Sequence, residues 1–363
     1  MPAITPTTPP ITFSDPSTPL RKACAPLRMT AFFPTLRPTL PMPPTRRFAI
    51  LMLVLTTAAW GLSFPGGKAL LTAANDALPG RDPWFFSSLM IAVRFGLGAL
   101  LLWIVQPRVF GQVRATEFRQ GIGLGVCGGF GMLFQADGLA FTEASTSAFL
   151  TQFASVLVPI VIALRTRRLP SVFVMFCVAL VIAGVAVLAR FDWHSMQLGR
   201  GEIETLIGAA FFTAQILLLD RPAFRGNHSG RVTLVMFLTV AVILAPVVAL
   251  HAQRASDVLV LFSSIPMAVV LVVSTLVCSL VAFLLMNHWQ PHVDATTAGI
   301  IYCAEPLFAT VFALFLPALL ARFLGIAYAN ETATTHLLIG GSLITVANLL
   351  IALKPHTPPP SGV

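Results

Sequence analysis

Charge is scarce in this chain: 10% of its 363 residues are Asp, Glu, Lys or Arg, against roughly a quarter in a soluble domain. So little polar material cannot cover a water-exposed surface. With 56% of residues hydrophobic, the lipid bilayer becomes the expected solvent. The sequence also lacks a Cys-x-x-Cys pair, any paired His/Cys ligand spacing and a Gly-rich phosphate loop opening a helix. Those absences remove the usual footholds for metal, nucleotide and cofactor chemistry, so none of these is expected. Cys127, Cys177, Cys278 and Cys303 fall inside apolar runs and suggest no disulfide framework. A formal charge of +9 does not point to nucleic acid, because the basic residues stand at the ends of apolar runs, as membrane anchors do.

Apolar sequence of helix length is what the chain has in abundance. Windows of about 20 residues occur near 48–72, 84–106, 119–140, 144–164, 171–190, 202–220, 231–251, 265–288, 295–317 and 336–353. They predict an all-α integral membrane protein with ten transmembrane helices. Residues 1–46, rich in Pro and Thr, read as a disordered tail, with Met29 as an alternative start, and 354–363 as a short second tail. With the N-terminus in the cytoplasm, Arg108, Arg114, Arg119, Arg165, Arg167, Arg168, Arg221, Arg225, Arg231 and Lys354 lie inside. Arg81, Arg190, Arg200, Arg254 and Arg322 lie outside. That excess predicts both termini in the cytoplasm of a multi-pass protein of the cell (inner) membrane.

The chain also repeats itself. Glu143 to Ala148 reads Glu-Ala-Ser-Thr-Ser-Ala, and about 151 residues later Asp294 to Gly299 reads Asp-Ala-Thr-Thr-Ala-Gly, each between two long apolar runs. The register runs from about Gly121 to about Leu164 and pairs Thr151 with Tyr302 and Gln152 with Cys303. Two five-helix repeats, 47–190 and 202–353, must be mutually inverted because five is odd, which is the layout of a carrier with its site between the halves. An insertion from Arg322 to Thr335, containing Tyr328, Asn330 and Glu331, interrupts the second half and reads as a surface loop.

Trp60-Gly61-Leu62-Ser63-Phe64 with Lys68, Ala92-Val93-Arg94-Phe95, Gly138 to Ser145, and Ala304-Glu305-Pro306-Leu307-Phe308 together resemble the EamA-type members of the drug/metabolite transporter superfamily. The resemblance covers about 47–353. It implies a ten-helix bundle with a central cavity lined mainly by spans one, three, four, six, eight and nine. Where that family often has a glutamate shortly after spans four and nine, this chain has Arg165-Thr166-Arg167-Arg168 and a displaced Glu331.

Ionisable groups at bilayer depth are costly, so each demands an explanation. Glu305 stands mid-span beside Pro306, which frees the Tyr302 carbonyl. Two roles are open to it: hydrogen bonding to freed backbone, or exchanging protons or meeting a cationic solute. Arg94 is the opposite charge in span two, with Asp137 and Glu305 as possible partners and either anchoring or contact with a substrate anion as its role. Lys68 is expected to snorkel to the interface. Uncharged polar residues complete the set: Ser63, Gln135, Thr151, Gln152, Gln215, Asn287 and Tyr302, with Trp60 as aromatic surface. The glycines of span three suit close helix approach, and Ser145-Thr146 and Thr296-Thr297 suit N-capping.

These features predict a secondary transporter that moves a small metabolite or drug-like solute by alternating access, export slightly favoured, coupled to a proton or other ion or to exchange. It would act as a monomer or homodimer. The competing classes are an integral-membrane enzyme using His251, His288, His292 and Asp294, and a non-transporting sensor or scaffold.

Overall fold

Backbone polar groups have no water to bond in hydrocarbon, so long uncharged segments must satisfy themselves as helices. The computed structural model describes residues 46–167, 172–188, 198–293, 298 and 301–353, and among them there is no strand. The expected tails fall outside this set apart from Arg46, as does the second hexapeptide, with Asp294 and Thr296-Thr297, apart from Ala298. The helices are α1 (Arg46–Ala77), α2 (Pro83–Val105), α3 (Ala115–Phe141), α4 (Ala144–Thr151), α5 (Phe153–Thr166), α6 (Val172–Leu188) and α7 (Arg200–Leu219). After these come α8 (Ser229–His251), α9 (Ile265–Val273), a π-helical segment Ser274–Val281, α10 (Ala282–Trp289), α11 (Glu305–Ala313), α12 (Leu316–Leu324) and α13 (Thr335–Leu353).

Local chemistry sets several ends. Asp82 accepts from the Trp84 amide at 2.9 Å with Pro83 at the first helical position, so α2 starts there. Gly325, at φ 72°, closes α12 in the left-handed conformation that glycine tolerates.

Among the described residues seven stretches are long and apolar enough to cross a bilayer: Phe48–Ala77, Pro83–Val105, Ala115–Phe141, Ala144–Arg165, Arg200–Leu219, Ser229–His251 and Ile265–His292. The α11–α12 pair, bent by 57°, raises the number to eight if it is one span. α6 and α13 contain shorter apolar helices, Met175–Gly184 and Thr335–Ala347. This is fewer than the ten long spans expected, because the fifth and tenth windows form shorter helices and the ninth is broken near Cys303.

The centre is filled by Phe85, Phe95, Leu124, Leu234 and Phe237, with Phe95 edge-on to Phe237 at 4.8 Å. Outward faces remain apolar, as at Leu100, Ile104, Val242, Leu250 and Ile265, which suits lipid rather than water.

Two polar belts mark the ends of the bundle. At one end Arg81 binds Asp257 at 2.9 Å, and that hydrogen bond holds the Asp257 carboxyl below the usual carboxylate range. Lys68, Arg200 and Glu331 lie at this end as well, through contacts described below. At the other end Glu117 bonds the His228 amide at 3.1 Å and faces Arg231 at 3.3 Å, while Asn227 binds Gln120 at 2.8 Å.

Glycines let α3 sit against α7 and α8. A Cβ on Gly121 would meet Val235 at 2.5 Å, and one on Gly138 would lie 2.6 Å from the Gly201 carbonyl oxygen. Gly138→Ala should therefore cost about 1–3 kcal/mol by overpacking. Gly66→Ala, whose nearest contact is Ser274 Oγ at 3.8 Å, should leave thermal unfolding in detergent nearly unchanged.

Candidate functional site

A cavity of about 100 Å³ opens where the helix breaks meet, enough for several waters or a small organic group. It is lined from α1, α3, α4, α5, α7, α10 and the Tyr302–Glu305 turn, and also from α2 through Met90, Ile91 and Arg94. All nine expected site residues face it: Trp60, Ser63, Arg94, Gln135, Thr151, Gln152, Gln215, Tyr302 and Glu305. Asn287 does not. It instead ties α10 to α8 by donating to Thr233 Oγ1 at 2.8 Å.

The breaks themselves are matched. α4 ends at Thr151 and α5 begins at Phe153, with Gln152 between them, while Cys303 and Ala304 interrupt the helix before α11. Gln152 Nε2 donates to Glu305 Oε2 at 3.1 Å, so the two interruptions touch across the cavity. The sequence left open a bond from Glu305 to freed backbone. Its described partner is this side-chain amide, with the carboxylate as acceptor.

Hydrogen bonds hold the other polar residues in fixed places. Gln135 Nε2 donates to Thr151 Oγ1 at 2.9 Å, and Thr151 Oγ1 donates to the Ser147 carbonyl at 2.8 Å. Tyr302 Oη donates to Gln290 Oε1 at 2.6 Å. Trp60 stacks obliquely on Phe283 and Tyr302, at 5.4 and 5.5 Å.

Arg94, 3% exposed, meets neither carboxylate proposed from the sequence. Its Nη2 donates to Ser63 Oγ at 3.2 Å and Ser279 Oγ at 3.0 Å. Asp137 instead pairs with Arg200 and accepts from Ser87 Oγ at 3.2 Å. Ser279 and Gln290 carried no sequence signal. A helical serine ordinarily bonds its own backbone, and Gln290 follows the predicted end of span eight.

One end of the cavity region is closed by a polar lattice. Arg200 bridges Asp137 and Glu204 and lies 4.2 Å from the Phe141 ring centre. Lys68 does not snorkel; its Nζ donates to the Thr142 carbonyl. Glu331 accepts from the Ala144 amide at 2.7 Å and from Ser145. The insertion thus supplies the cap of α4 that was expected from Ser145-Thr146. Anionic oxygens suit a helix N-terminus, where amides are unpaired and the dipole is positive.

His288 and His292 come together, with ring centres 5.7 Å apart, but His251 does not join them. His288 contacts Ser229 at the start of α8 and His251 ends the same helix, which makes them about 30 Å apart along it.

The EamA-like transporter family model matches residues 47–190. An uncharacterized transporter of Archaeoglobus fulgidus is 25% identical over 310 residues, covering 85% of this chain and 87% of its own. A solved crystal structure of a protein agrees in fold at TM-score 0.50 and 17% identity, covering 85% of this chain and 98% of that one.

Glu331→Ala should cost about 1–2 kcal/mol by uncapping α4. In a double-mutant cycle with Ser145→Ala, read by thermal unfolding, the losses should be less than additive. Full additivity would mean that the Ser145 hydroxyl bond to Glu331 contributes nothing.

Proposed function

We propose, from the premise that this membrane transporter belongs to the EamA-like transporter family, that it is a secondary carrier moving a small metabolite or drug-like solute by alternating access. The observation that carries this reading is the convergence of two helix breaks, one from each half of the chain, on a single cavity whose polar walls come from separate helices. Broken helices around a midplane site are how repeat-built carriers bind their cargo.

Ten crossings are supported by where the chain must travel. α4 begins at the Lys68 end, and Ala144–Arg165 is long enough to finish at the other. Arg200 is back at the Lys68 end against Asp137. Something between them must cross, and α6, with 17 residues, spans about 25 Å. Trp289 likewise packs on Phe48 at the far end, whereas Glu331 reaches α4 at the near one. The stretch through Tyr302 and α11 therefore makes the ninth crossing, and α13 makes the tenth.

Helix packing also supports two repeats, 47–190 and 202–353. Exchanging each helix for its counterpart in the other half turns the α3–α7 contact into that of α1 with the π segment and α10. It also turns α3–α8 into α2 with the π segment, and α1–α11 into α7 with α5; all are packed pairs. α2–α8 and α6–α13 map onto themselves.

In this reading both termini are cytoplasmic, the protein resides in the cell membrane, and the Arg200–Asp137–Glu331 lattice is the outer seal. The polar cluster of Glu117, His228 and Arg231 forms the inner one. Export is the favoured direction, and a proton taken up and released at Glu305 is the coupling step.

In sealed vesicles a gradient should drive solute flux. Glu305→Gln should abolish it while the protein remains folded in the membrane; normal flux by that variant would reject the coupling role. Reporters placed after Val363 and between residues 192 and 199 should lie on opposite sides of the membrane, and a shared side would end the ten-span layout.

A further inference from the structure

The cavity wall holds a cation that no described carboxylate touches. A guanidinium stays protonated in any protein environment, and Arg94 is 3% exposed. Ser63 and Ser279 give it oxygen atoms but no charge, and its Nε has no partner among the described residues. Among those residues no carboxylate lies within 4.0 Å of it. Asp137 is held by Arg200 and Ser87, and Glu305 by Gln152.

A merely structural arginine at this depth would be expected to pair with an acid, because an isolated charge in hydrocarbon is costly. Arg94 instead lines the cavity, with Nη2 taken by the two serines and Nε buried without a partner among the described residues. Nη2 carries both serine bonds, so a carboxylate at the guanidinium would meet its full positive charge and its remaining N–H groups. Apolar side chains share the wall with it, among them Trp60, Phe64, Met90, Ile91 and Phe283.

We propose that Arg94 is the binding site for the carboxylate of a small organic acid whose apolar body lies against these side chains. That the acid is also transported rests on the carrier reading above; that it binds does not.

The test uses the purified full-length protein, with benzoate as probe and benzamide and benzylamine as neutral and cationic analogues of similar shape. Binding is read by intrinsic tryptophan fluorescence, to which Trp60 contributes, and by the shift in Tm. Benzoate should bind, and benzamide and benzylamine should bind far more weakly. Arg94→Gln should weaken benzoate by about tenfold to a hundredfold, the range expected for a hydrogen bond to a charged group. Arg94→Lys, which keeps the charge without the guanidinium, should fall between. No benzoate binding, equal binding of benzoate and benzamide, or undiminished benzoate binding by Arg94→Gln would overturn the assignment. Should Arg94→Gln fail to fold, the native protein and Arg94→Lys decide on the same criteria. Vesicle flux separates the two readings. Gradient-driven flux of a neutral or cationic solute without benzoate binding removes the acid site and keeps the carrier. Benzoate binding through Arg94 without movement of any solute keeps the site and removes the carrier.

Discussion

In hydrocarbon every backbone amide and carbonyl must find a partner inside the protein, and the rest of this structure follows from meeting or locally suspending that rule. Long uncharged segments meet it as helices. Interruptions are tolerated only where protein or a cavity replaces the lost bonds. Gln152 and the Cys303-Ala304 turn are such interruptions, and both stand at the cavity. The π-helical segment Ser274–Val281 is a milder departure, and it presents Ser279 to Arg94.

The same constraint governs charge. Asp137, fully buried, is held by an arginine from another helix and a serine hydroxyl. Removing one partner of such a buried pair is far more costly than never having built it. Glu331 shows the complementary case, in which a carboxylate at a helix start replaces the cap the local sequence does not provide. The insertion that carries it is therefore part of the closed end of the bundle rather than an ornament on it. Its own backbone is anchored too, with the Glu331 amide donating to the Ala313 carbonyl at 2.9 Å.

Much of the cavity's polar lining was legible because a polar residue inside an apolar run is conspicuous. Gln135, Thr151, Gln152 and Gln215 announce themselves in this way, and each lines the cavity. Asn287 gave the same signal and faces Thr233 instead, since composition marks a residue as needing a partner without saying on which side of its helix that partner lies. Apolar lining such as Met90, Phe212 and Met286 looked like ordinary span sequence and had no signal at all. The partners of Arg94 were equally hidden. They come from spans one and eight, and nothing in either segment indicates that a serine there meets a guanidinium.

Composition and the length of its apolar runs by themselves determined that this chain is helical and membrane-embedded, because those quantities fix what solvent the surface can tolerate. The sequence pairs Thr151 with Tyr302 and Gln152 with Cys303 across about 151 residues, but that two helices break at these positions was not signalled there. Only the tertiary structure decided which charges pair, that Lys68 turns inward to Thr142, and that Glu331 crosses to α4. Those outcomes depend on which helix faces abut, and residues far apart in the chain become neighbours only after packing has chosen the faces.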